Sequence, residues 1–307
     1  MSRFLAAAAV ADLGVQPELM YLGNLRSPID FLKAPGRVRE RARGFDLVHA
    51  QYGSATALVT ANSARPGVLS IRGSDWTPEG GARFGAKIHG PAATWMTRRA
   101  IPNYARVISV SRRMAVEIEA SFPRVPVDVI PDPVDLAKFR PMPAAQSREA
   151  LGLRPDARSV LFTSVHRDAP NKRVGLAEEA VEVARATIPE LELLVASGYS
   201  HDQMPLVVSS ADVAICTSIA EGWPNSMKEA LACNVPFVAT DVSDLRDIAK
   251  VDQRCRVVAA TPEALGKALV DVLQSKVSSS VRQYVEPMSM SSFACQLIEA
   301  YERTLAQ

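Results

Sequence analysis

The fold of this chain is decided by Ala211-Asp212-Val213-Ala214-Ile215-Cys216-Thr217-Ser218-Ile219-Ala220-Glu221-Gly222-Trp223-Pro224-Asn225-Ser226-Met227-Lys228-Glu229-Ala230-Leu231-Ala232. The apolar run over residues 211–216 is typical of a buried parallel strand. Pro224 and the helix-forming residues that follow it predict a helix beginning near Asn225. A strand that leads through a loop into a helix is the basic step of a parallel α/β fold, whose ligands bind at the carboxyl ends of the strands. The stretch therefore predicts a ligand site around residues 217–226.

The same strand and helix alternation extends upstream, over the first half of the chain. Its predicted strands are Glu18–Leu22, Leu47–Ala50, Val68–Ile71, Arg106–Val110 and Val127–Ile130. Its predicted helices are Ser2–Leu13, Pro35–Arg43, Ser54–Ala61, Phe84–Ala100 and Ser111–Ala120.

The alternation stops at Pro131, Pro133, Pro141 and Pro143, which are excluded from regular helix and inner strand and so predict a linker. A second series follows. Its predicted strands are Ser159–Ser164, Leu191–Ala196, Val213–Cys216, Phe237–Thr240 and Arg256–Val258. Its predicted helices are Gly175–Ala186, Met204–Ser210, Asn225–Ala232, Ser243–Ala249, Pro262–Leu273 and Met290–Leu305. We expect two Rossmann-like domains, residues 1–135 and 136–289, with the helix over about 290–307 packing back on the first.

Composition and charge narrow the function classes. Of the 307 residues 48% are hydrophobic, enough for full cores, and the net charge of +2 argues against a nucleic-acid binder. Residues 1–135 carry 17 Lys and Arg against 12 Asp and Glu, whereas the remainder has 18 against 21. A basic first half indicates either contact with an anionic surface such as phospholipid or an ordinary solvated surface. The four cysteines form no close pair and lie in apolar sequence, which favours reduced core residues and a cytoplasmic protein.

Missing motifs exclude several enzyme classes. The sequence contains no Gly-x-Gly-x-x-Gly after a strand, no P-loop and no Gly-x-Ser-x-Gly. Dinucleotide oxidoreductases, P-loop phosphotransferases and common serine hydrolases are therefore disfavoured. The four histidines are scattered, so no metal site is expected.

The segment after Cys216 has the chemistry of a phosphate and sugar site. A helix that opens near Asn225 offers unsatisfied backbone N–H groups and a positive dipole end, which suit a phosphate. Gly222 permits close backbone approach. Glu221 and Glu229 could both face the same crevice, and a carboxylate there suits a pair of sugar hydroxyls because it accepts two hydrogen bonds.

The spacing of Glu221 and Glu229, with Ala230–Thr240 after them, resembles the donor site of glycosyltransferase family 4. Residues 129–135 followed by Phe139-Arg140-Pro141 resemble the linker of that family, and residues 107–111 resemble the strand that precedes it. The resemblance extends from about Asp46 to Pro262. It implies a GT-B fold, two Rossmann-like domains facing across a cleft, and a retaining, metal-independent transferase without a cofactor.

The resemblance also implies residue roles. Glu229 would bind the ribose hydroxyls of the nucleotide and Glu221 the transferred sugar, while Lys172 and Arg167 would neutralise the departing diphosphate, because no metal does so. Solvated loop charges are the alternative interpretation of Lys172 and Arg167. The remaining implied donor-binding residues are Gly222, Trp223, Pro224, Asn225, Ser226, His166 and Gly198.

The first half departs from the family pattern in two places. Arg72 stands where many members have a histidine, and Arg72, Asp75, His49 and Gly53 are candidate cleft residues that follow strand ends. Their alternative interpretation is structural: a local ion pair beside a turn, and a histidine that supports the fold. In addition, Met1 falls at the first helix, where the family has a strand and a Gly-rich loop, so we expect a first domain without that element, or an upstream segment.

These observations lead to one main function and two alternatives. The main hypothesis is transfer of a sugar, of hexosyltransferase type, from a nucleotide-diphosphate sugar to a hydroxyl of a glycan, a lipid-linked or a small-molecule acceptor in polysaccharide or glycoconjugate synthesis. The alternatives are a catalytically weak nucleotide-sugar-binding protein and a GT-B-like epimerase. We expect a cytoplasmic location, with peripheral contact to the inner face of the membrane through the basic first domain.

Overall fold

The computed structural model describes residues 10–11, 13–77, 89–164, 169–277 and 279–307, and for His89 the backbone alone. The chain divides into two compact units. Unit 1 comprises Met1–Pro133, Ala220–Trp223 and Met290–Gln307, and unit 2 comprises Val134–Ile219 and Pro224–Ser289. The sequence prediction had set the boundary between Asp135 and Leu136.

The described residues form nine strands and eleven numbered helices. The strands are β1 (Val48–Ala50), β2 (Gly67–Ile71), β3 (Arg106–Ser109), β4 (Val127–Val129), β5 (Ser159–Thr163), β6 (Glu192–Ala196), β7 (Val213–Cys216), β8 (Phe237–Ala239) and β9 (Arg256–Val257). The helices are α1 (Pro28–Ala42), α2 (Ser54–Thr60), α3 (His89–Ala100), α4 (Arg112–Ser121), α5 (Ala144–Ala150), α6 (Val174–Arg185), α7 (Met204–Ser209), α8 (Asn225–Ala232), α9 (Leu245–Val251), α10 (Pro262–Gln274) and α11 (Met290–Leu305). Short 3-10 turns are Ile101–Asn103, Val281–Tyr284 and Glu286–Met288.

Unit 1 is built on a parallel sheet of order β1-β2-β3-β4. Strand β2 is buried along its whole length, as expected for an inner parallel strand. Helix α11 supplies Phe293, Leu297 and Ala300 to a core with Val68 and Ile108 of the sheet. Through this packing the last helix of the chain belongs to unit 1.

Unit 2 is built on a parallel sheet of order β6-β5-β7-β8-β9. Strands β5 and β7 are paired from Val160 with Val213, and the core on them is completed by α6 and α10. Those two helices approach closely because α10 has Gly266 at the contact, where a Cβ would lie 2.7 Å from the Cβ of Val183. The predicted α/β class, with a parallel sheet in each half, is confirmed.

The predicted strand over Glu18–Leu22 is wrong. Residues 15–24 contain no regular element, and Leu19 and Tyr21 are exposed by 51% and 84%. Among residues 13–47 no strand pairs with β1, so this segment forms no backbone ladder with the described sheet. β-propensity alone does not make a strand without a partner.

Helix α1 begins earlier than predicted, and helix α5 was not predicted; both differences have local reasons. Helix α1 begins at Pro28 rather than Pro35, because the Ser27 side chain accepts from the backbone N–H of Asp30 and caps it. Pro35 lies inside the helix. Helix α5 was missed because it directly follows the proline-rich linker; its Arg148 is buried and pairs with Asp212 at 2.7 Å.

Three cysteines, Cys216, Cys233 and Cys255, are buried free thiols, as the apolar sequence predicted. The prediction of a core position is wrong for Cys295, which is exposed on the solvent face of α11. None of the helices in the described part of the chain has the length and apolar character to cross a bilayer.

Candidate functional site

The centre of the candidate donor site in unit 2 is the step from β7 into α8. Strand β7 is buried throughout, and Thr217 and Ser218 after it are also buried. Helix α8 begins at Asn225, with Pro224 in an extended conformation before it and no side-chain cap. An uncapped helix start leaves backbone N–H groups for an anion. The sequence predicted both elements with these bounds.

Glu229 lies on the second turn of α8 and is half-buried. Burial raises the pKa of its carboxyl to about 7, while the charges of Lys228 and Lys138 act in the opposite direction. A carboxylate held with a raised pKa is characteristic of a ligand or catalytic site. Ligand hydroxyls that donate to it would favour its ionised form.

Lys172 lies in a turn that is fastened to the end of β7. The Thr217 hydroxyl donates to the backbone carbonyl of Lys172 at 2.6 Å, and the Ile219 N–H donates to the Asn171 carbonyl at 2.9 Å. Arg173 has a left-handed backbone (φ 52°) and donates through Nε to the Thr217 carbonyl at 2.6 Å. These bonds hold the predicted diphosphate lysine beside the strand that leads to α8.

The other predicted residues of the donor site are placed as follows. Gly198 follows β6 with φ +86°, a conformation that favours glycine, and is exposed at the carboxyl end of the sheet. Trp223 and Pro224 are buried, Asn225 is exposed and Ser226 is half-buried. His166 and Arg167 lie outside the described residues.

Glu221 and Gly222 belong to unit 1, whereas Glu229 belongs to unit 2. Within unit 1 a Cβ on Gly222 would overlap the backbone carbonyl of Arg72, so this glycine is required by a close backbone approach. Glu221 is half-buried. Its role as a sugar ligand stays a prediction.

Two lysines near Glu229 were missed by the sequence analysis. Lys228 is only 1% exposed although it is charged, and the amphipathic pattern of α8 gave no sign of that burial. Lys138 follows a turn in which its backbone N–H donates to Asp135 Oδ1, and its ammonium pairs with Asp202 at 2.6 Å. The linker motif around Asp135 was the available signal for Lys138, because it fixes that turn.

Arg72 of unit 1 is held by the backbone and side chain of a neighbouring strand end. Its Nε donates to the Gln51 carbonyl at 3.0 Å, and its Nη2 donates to Gln51 Oε1 at 2.8 Å. Its Nη1 is paired with Asp132 in the linker. The Arg72 side chain is 14% exposed, so most of this predicted cleft residue is engaged within unit 1.

His49 lies in a half-buried polar network. Its Nε2 is 2.8 Å from the Ser70 hydroxyl, and its Nδ1 is 2.7 Å from the Tyr301 hydroxyl of α11. Burial, and secondarily the charge of Arg72, lowers the pKa of His49 to about 3. A neutral imidazole in this position supports the fold, which is the structural alternative of the sequence analysis.

Asp75 and Gly53 are joined by a hydrogen bond. The fully buried Asp75 carboxylate accepts from the backbone N–H groups of Gly53, Arg72 and Gly73 at 2.8–2.9 Å. Burial raises the pKa of Asp75, and these bonds oppose the shift. A Cβ on Gly53 would lie 2.8 Å from the Asp75 Cβ. The pair ties the turn after β2 to the start of α2, so neither residue is presented to a ligand.

The part of the chain that is described contains no group of three or more His, Cys, Asp or Glu side chains that could hold a metal ion. The predicted independence from metals stays a prediction.

Two family models match the sequence. Residues 2–138 match Glycosyltransferase Family 4, and residues 160–275 match Glycosyl transferases group 1. Together they cover both halves of the chain and the whole β7–α8 step.

Curated relatives are distant and longer. A protein of Bacillus subtilis (strain 168) whose name assigns it to teichuronic acid biosynthesis as a glycosyltransferase is 25% identical over 246 residues, 73% of this chain and 60% of its own length. A D-inositol 3-phosphate glycosyltransferase of Mycolicibacterium gilvum is 28% identical over 59% of this chain and 47% of its own length. The chain thus spans about half the length of the curated relatives it matches.

Solved structures show the fold. Sucrose-phosphate synthase from Thermosynechococcus elongatus superposes with a TM-score of 0.71 at 17% identity, over 94% of this chain and 82% of that one. The HepE protein of Anabaena, solved with UDP and glucose, gives 0.69 at 15% identity, over 92% and 84%. Both confirm the predicted GT-B type of α/β fold. The two family matches, which together span residues 2–138 and 160–275, show that the chain belongs to the glycosyltransferases of family 4, the group 1 glycosyl transferases.

Proposed function

We propose that this protein transfers a sugar from a nucleotide-diphosphate sugar to a hydroxyl acceptor, with retention and without a metal ion. The observation that carries the proposal is the β7–α8 step. It combines an uncapped helix start, the half-buried Glu229 and the fastened turn of Lys172 in one unit. The Anabaena relative, solved in complex with UDP-glucose, supports a nucleotide sugar as the donor.

Each part has a definite task in the reaction. The N–H groups at the start of α8 and the Lys172 ammonium would hold the diphosphate, whose charge grows as it leaves. Glu229 would accept from the ribose hydroxyls. The bond from sugar C1 to the phosphate oxygen breaks, the bond from C1 to the acceptor oxygen forms on the same face, and the acceptor proton passes to the departing phosphate. In this proposal the Lys172 ammonium and the α8 dipole offset the charge that develops on the leaving diphosphate.

The acceptor and the setting are parts of the same proposal. A glycan, a lipid-linked or a small-molecule hydroxyl is the acceptor class, and the role is polysaccharide or glycoconjugate synthesis in the cytoplasm. The curated relative named for teichuronic acid biosynthesis supports that setting. The excess of basic residues over residues 1–135 supports peripheral contact with an anionic membrane surface.

Transfer and hydrolysis of a panel of nucleotide-diphosphate sugars test the proposal. Lys172→Ala and Glu221→Ala should each lower kcat/KM at least about 10²-fold, the usual effect of removing one group that stabilises the leaving charge. Lys267→Ala, an exposed lysine on α10, is the matched control and should leave the rate unchanged. Full activity in both site variants would falsify the site assignment. Chelator treatment tests the metal, and the anomeric configuration of the product tests retention.

A binding protein with weak turnover is the second candidate. Three predicted unit 1 residues favour it, because His49 is neutral, Asp75 is buried and Arg72 is paired with Asp132. The same experiment separates the two functions. Donor binding that depends on Lys172 without any transfer or hydrolysis would establish the second.

A further inference from the structure

Helix α1 presents a solvent face that combines apolar and cationic side chains. Ala34, Val38 and Ala42 are its buried residues and define the side that packs on unit 1. At 100° per residue, the positions opposite to them are Ile29, Leu32, Lys33, Gly36, Arg37 and Glu40. Ile29 is 64% exposed and Leu32 is 79% exposed, so neither aliphatic side chain is covered by the rest of unit 1. We call these six residues the α1 face.

Within the described part of the chain, the cations of the α1 face are not paired. Among the described residues, the side chains of Lys33 and Arg37 make no ion pair or side-chain hydrogen bond, and the same holds for Arg26, which precedes the helix. Arg41, on the flank, is by contrast paired with Glu18. Glu40 is the single acidic residue of the face. It lies about three turns after Ile29, since a helix has 3.6 residues per turn.

This arrangement matches one kind of partner. A helix that lies in a membrane interface places apolar side chains at the headgroup boundary and directs Lys and Arg to anionic lipid. Exposed apolar residues alone would fit many surfaces, but two exposed aliphatic side chains one turn apart, beside unpaired cations, are complementary to an anionic lipid surface. Tyr21, which is 84% exposed upstream of the helix, adds an aromatic side chain of the type found at membrane interfaces.

We infer that the α1 face docks unit 1 on anionic phospholipid. The inference specifies the membrane contact within the proposed function. It needs no sugar donor, so its failure and a failure of the transfer proposal are distinguishable.

Vesicle co-sedimentation of the full chain tests the inference. Binding is expected to vesicles that contain phosphatidylglycerol and to be at least about tenfold weaker to phosphatidylcholine vesicles, since each Lys or Arg near an anionic surface contributes roughly a fivefold factor. Lys33→Glu/Arg37→Glu should abolish binding, and Ile29→Ser/Leu32→Ser should weaken it at least about tenfold at equal charge. Lys267→Glu/Lys276→Glu changes the net charge by the same amount on exposed positions of unit 2 and should bind as the wild type does.

Three outcomes would overturn the inference: no binding to anionic vesicles, equal loss in the unit 2 control, or undiminished binding in both α1 variants. Thermal melts accompany each variant. Because all four substituted α1 positions are exposed, an unchanged melting temperature is expected, and the two α1 variants remove charge and apolar surface separately.

Discussion

The affinity for a nucleotide sugar should depend on pH through Glu229. The perturbation is a change from pH 8 to pH 6. With a pKa of about 7 in the free protein, the Glu229 carboxyl changes from roughly 90% ionised to roughly 10% ionised over this range. If ribose hydroxyls donate to the carboxylate, only the ionised protein binds well. The apparent Kd should then rise about tenfold, which is about 1.4 kcal/mol.

The stability of the ligand-free protein should also depend on pH through Glu229. The pKa of Glu229 in the fold lies above its ordinary value of 4.5, so the fold favours the protonated carboxyl. The stabilisation is therefore complete below pH 4.5 and is lost as the pH rises through 7. Because Glu229 is half-buried, we expect the free energy of unfolding to fall by at most about 3 kcal/mol between pH 4.5 and pH 7. Glu229→Gln should raise the melting temperature at pH 8 and leave it nearly unchanged at pH 4.5.

Isothermal titration calorimetry with UDP-glucose measures the binding side. A nucleotide sugar is the right ligand, because its diphosphate has no terminal phosphate that titrates near pH 6, unlike a free nucleoside diphosphate. Titration in two buffers of different ionisation enthalpy counts the protons released. Glu229→Gln is the matched control, since its amide keeps the size and does not titrate. An affinity that is constant from pH 6 to pH 8, or an equal slope in Glu229→Gln, would refute the reasoning.

Two further predictions concern the buried polar groups of unit 1. Asp75→Asn should destabilise the fold by about 2–3 kcal/mol, because its amide NH₂ would face one of the three backbone N–H groups that now donate to the carboxylate. Urea unfolding measures this loss. The control Asp271→Asn, on the exposed side of α10, should leave the stability unchanged. His49 should stay neutral in the folded protein down to about pH 4, since its pKa is lowered to about 3. As the pH falls below 6.5 the unfolded chain then binds the extra proton, and stability should decrease by up to about 1.4 kcal/mol per pH unit until pH 3. His49→Gln should remove that slope, whereas an imidazole that titrates near pH 6.5 by NMR contradicts the prediction.

The strands of unit 2 could be predicted to within one residue because their signal is local. Inner parallel strands are continuous apolar runs, and the residues around them end each element. Strand β7 and helix α8 have the predicted bounds for this reason. The segment Glu18–Leu22 has a comparable apolar content, but whether it forms a strand depends on a pairing partner that no local pattern contains.

The polar residues at strand ends were harder to interpret. His49, Asp75 and Lys172 all occupy positions where α/β folds place functional groups, so the sequence treated them alike. The structure shows a structural role for two of them, because the polar atoms of His49 and Asp75 are hydrogen-bonded inside unit 1. For Lys172 it shows that the backbone carbonyl accepts from the Thr217 hydroxyl. Such partners come from distant parts of the chain, as Tyr301 does for His49, and sequence spacing does not reveal them.

In helix α8 two charged residues are more buried than the sequence pattern predicts. Lys228 and Glu229 have the polarity of a solvent face, yet one is almost completely buried and the other half-buried. The adjacent buried positions are Met227 and Ala230, and apolar residues of that kind at all buried positions would be expected if stability alone had selected the helix. Burial raises the pKa of Glu229, so ionising its carboxyl there costs free energy, and groups with such shifts cluster at functional sites. The disagreement is therefore independent support for a ligand at α8: it rests on electrostatics within unit 2 and requires no family resemblance.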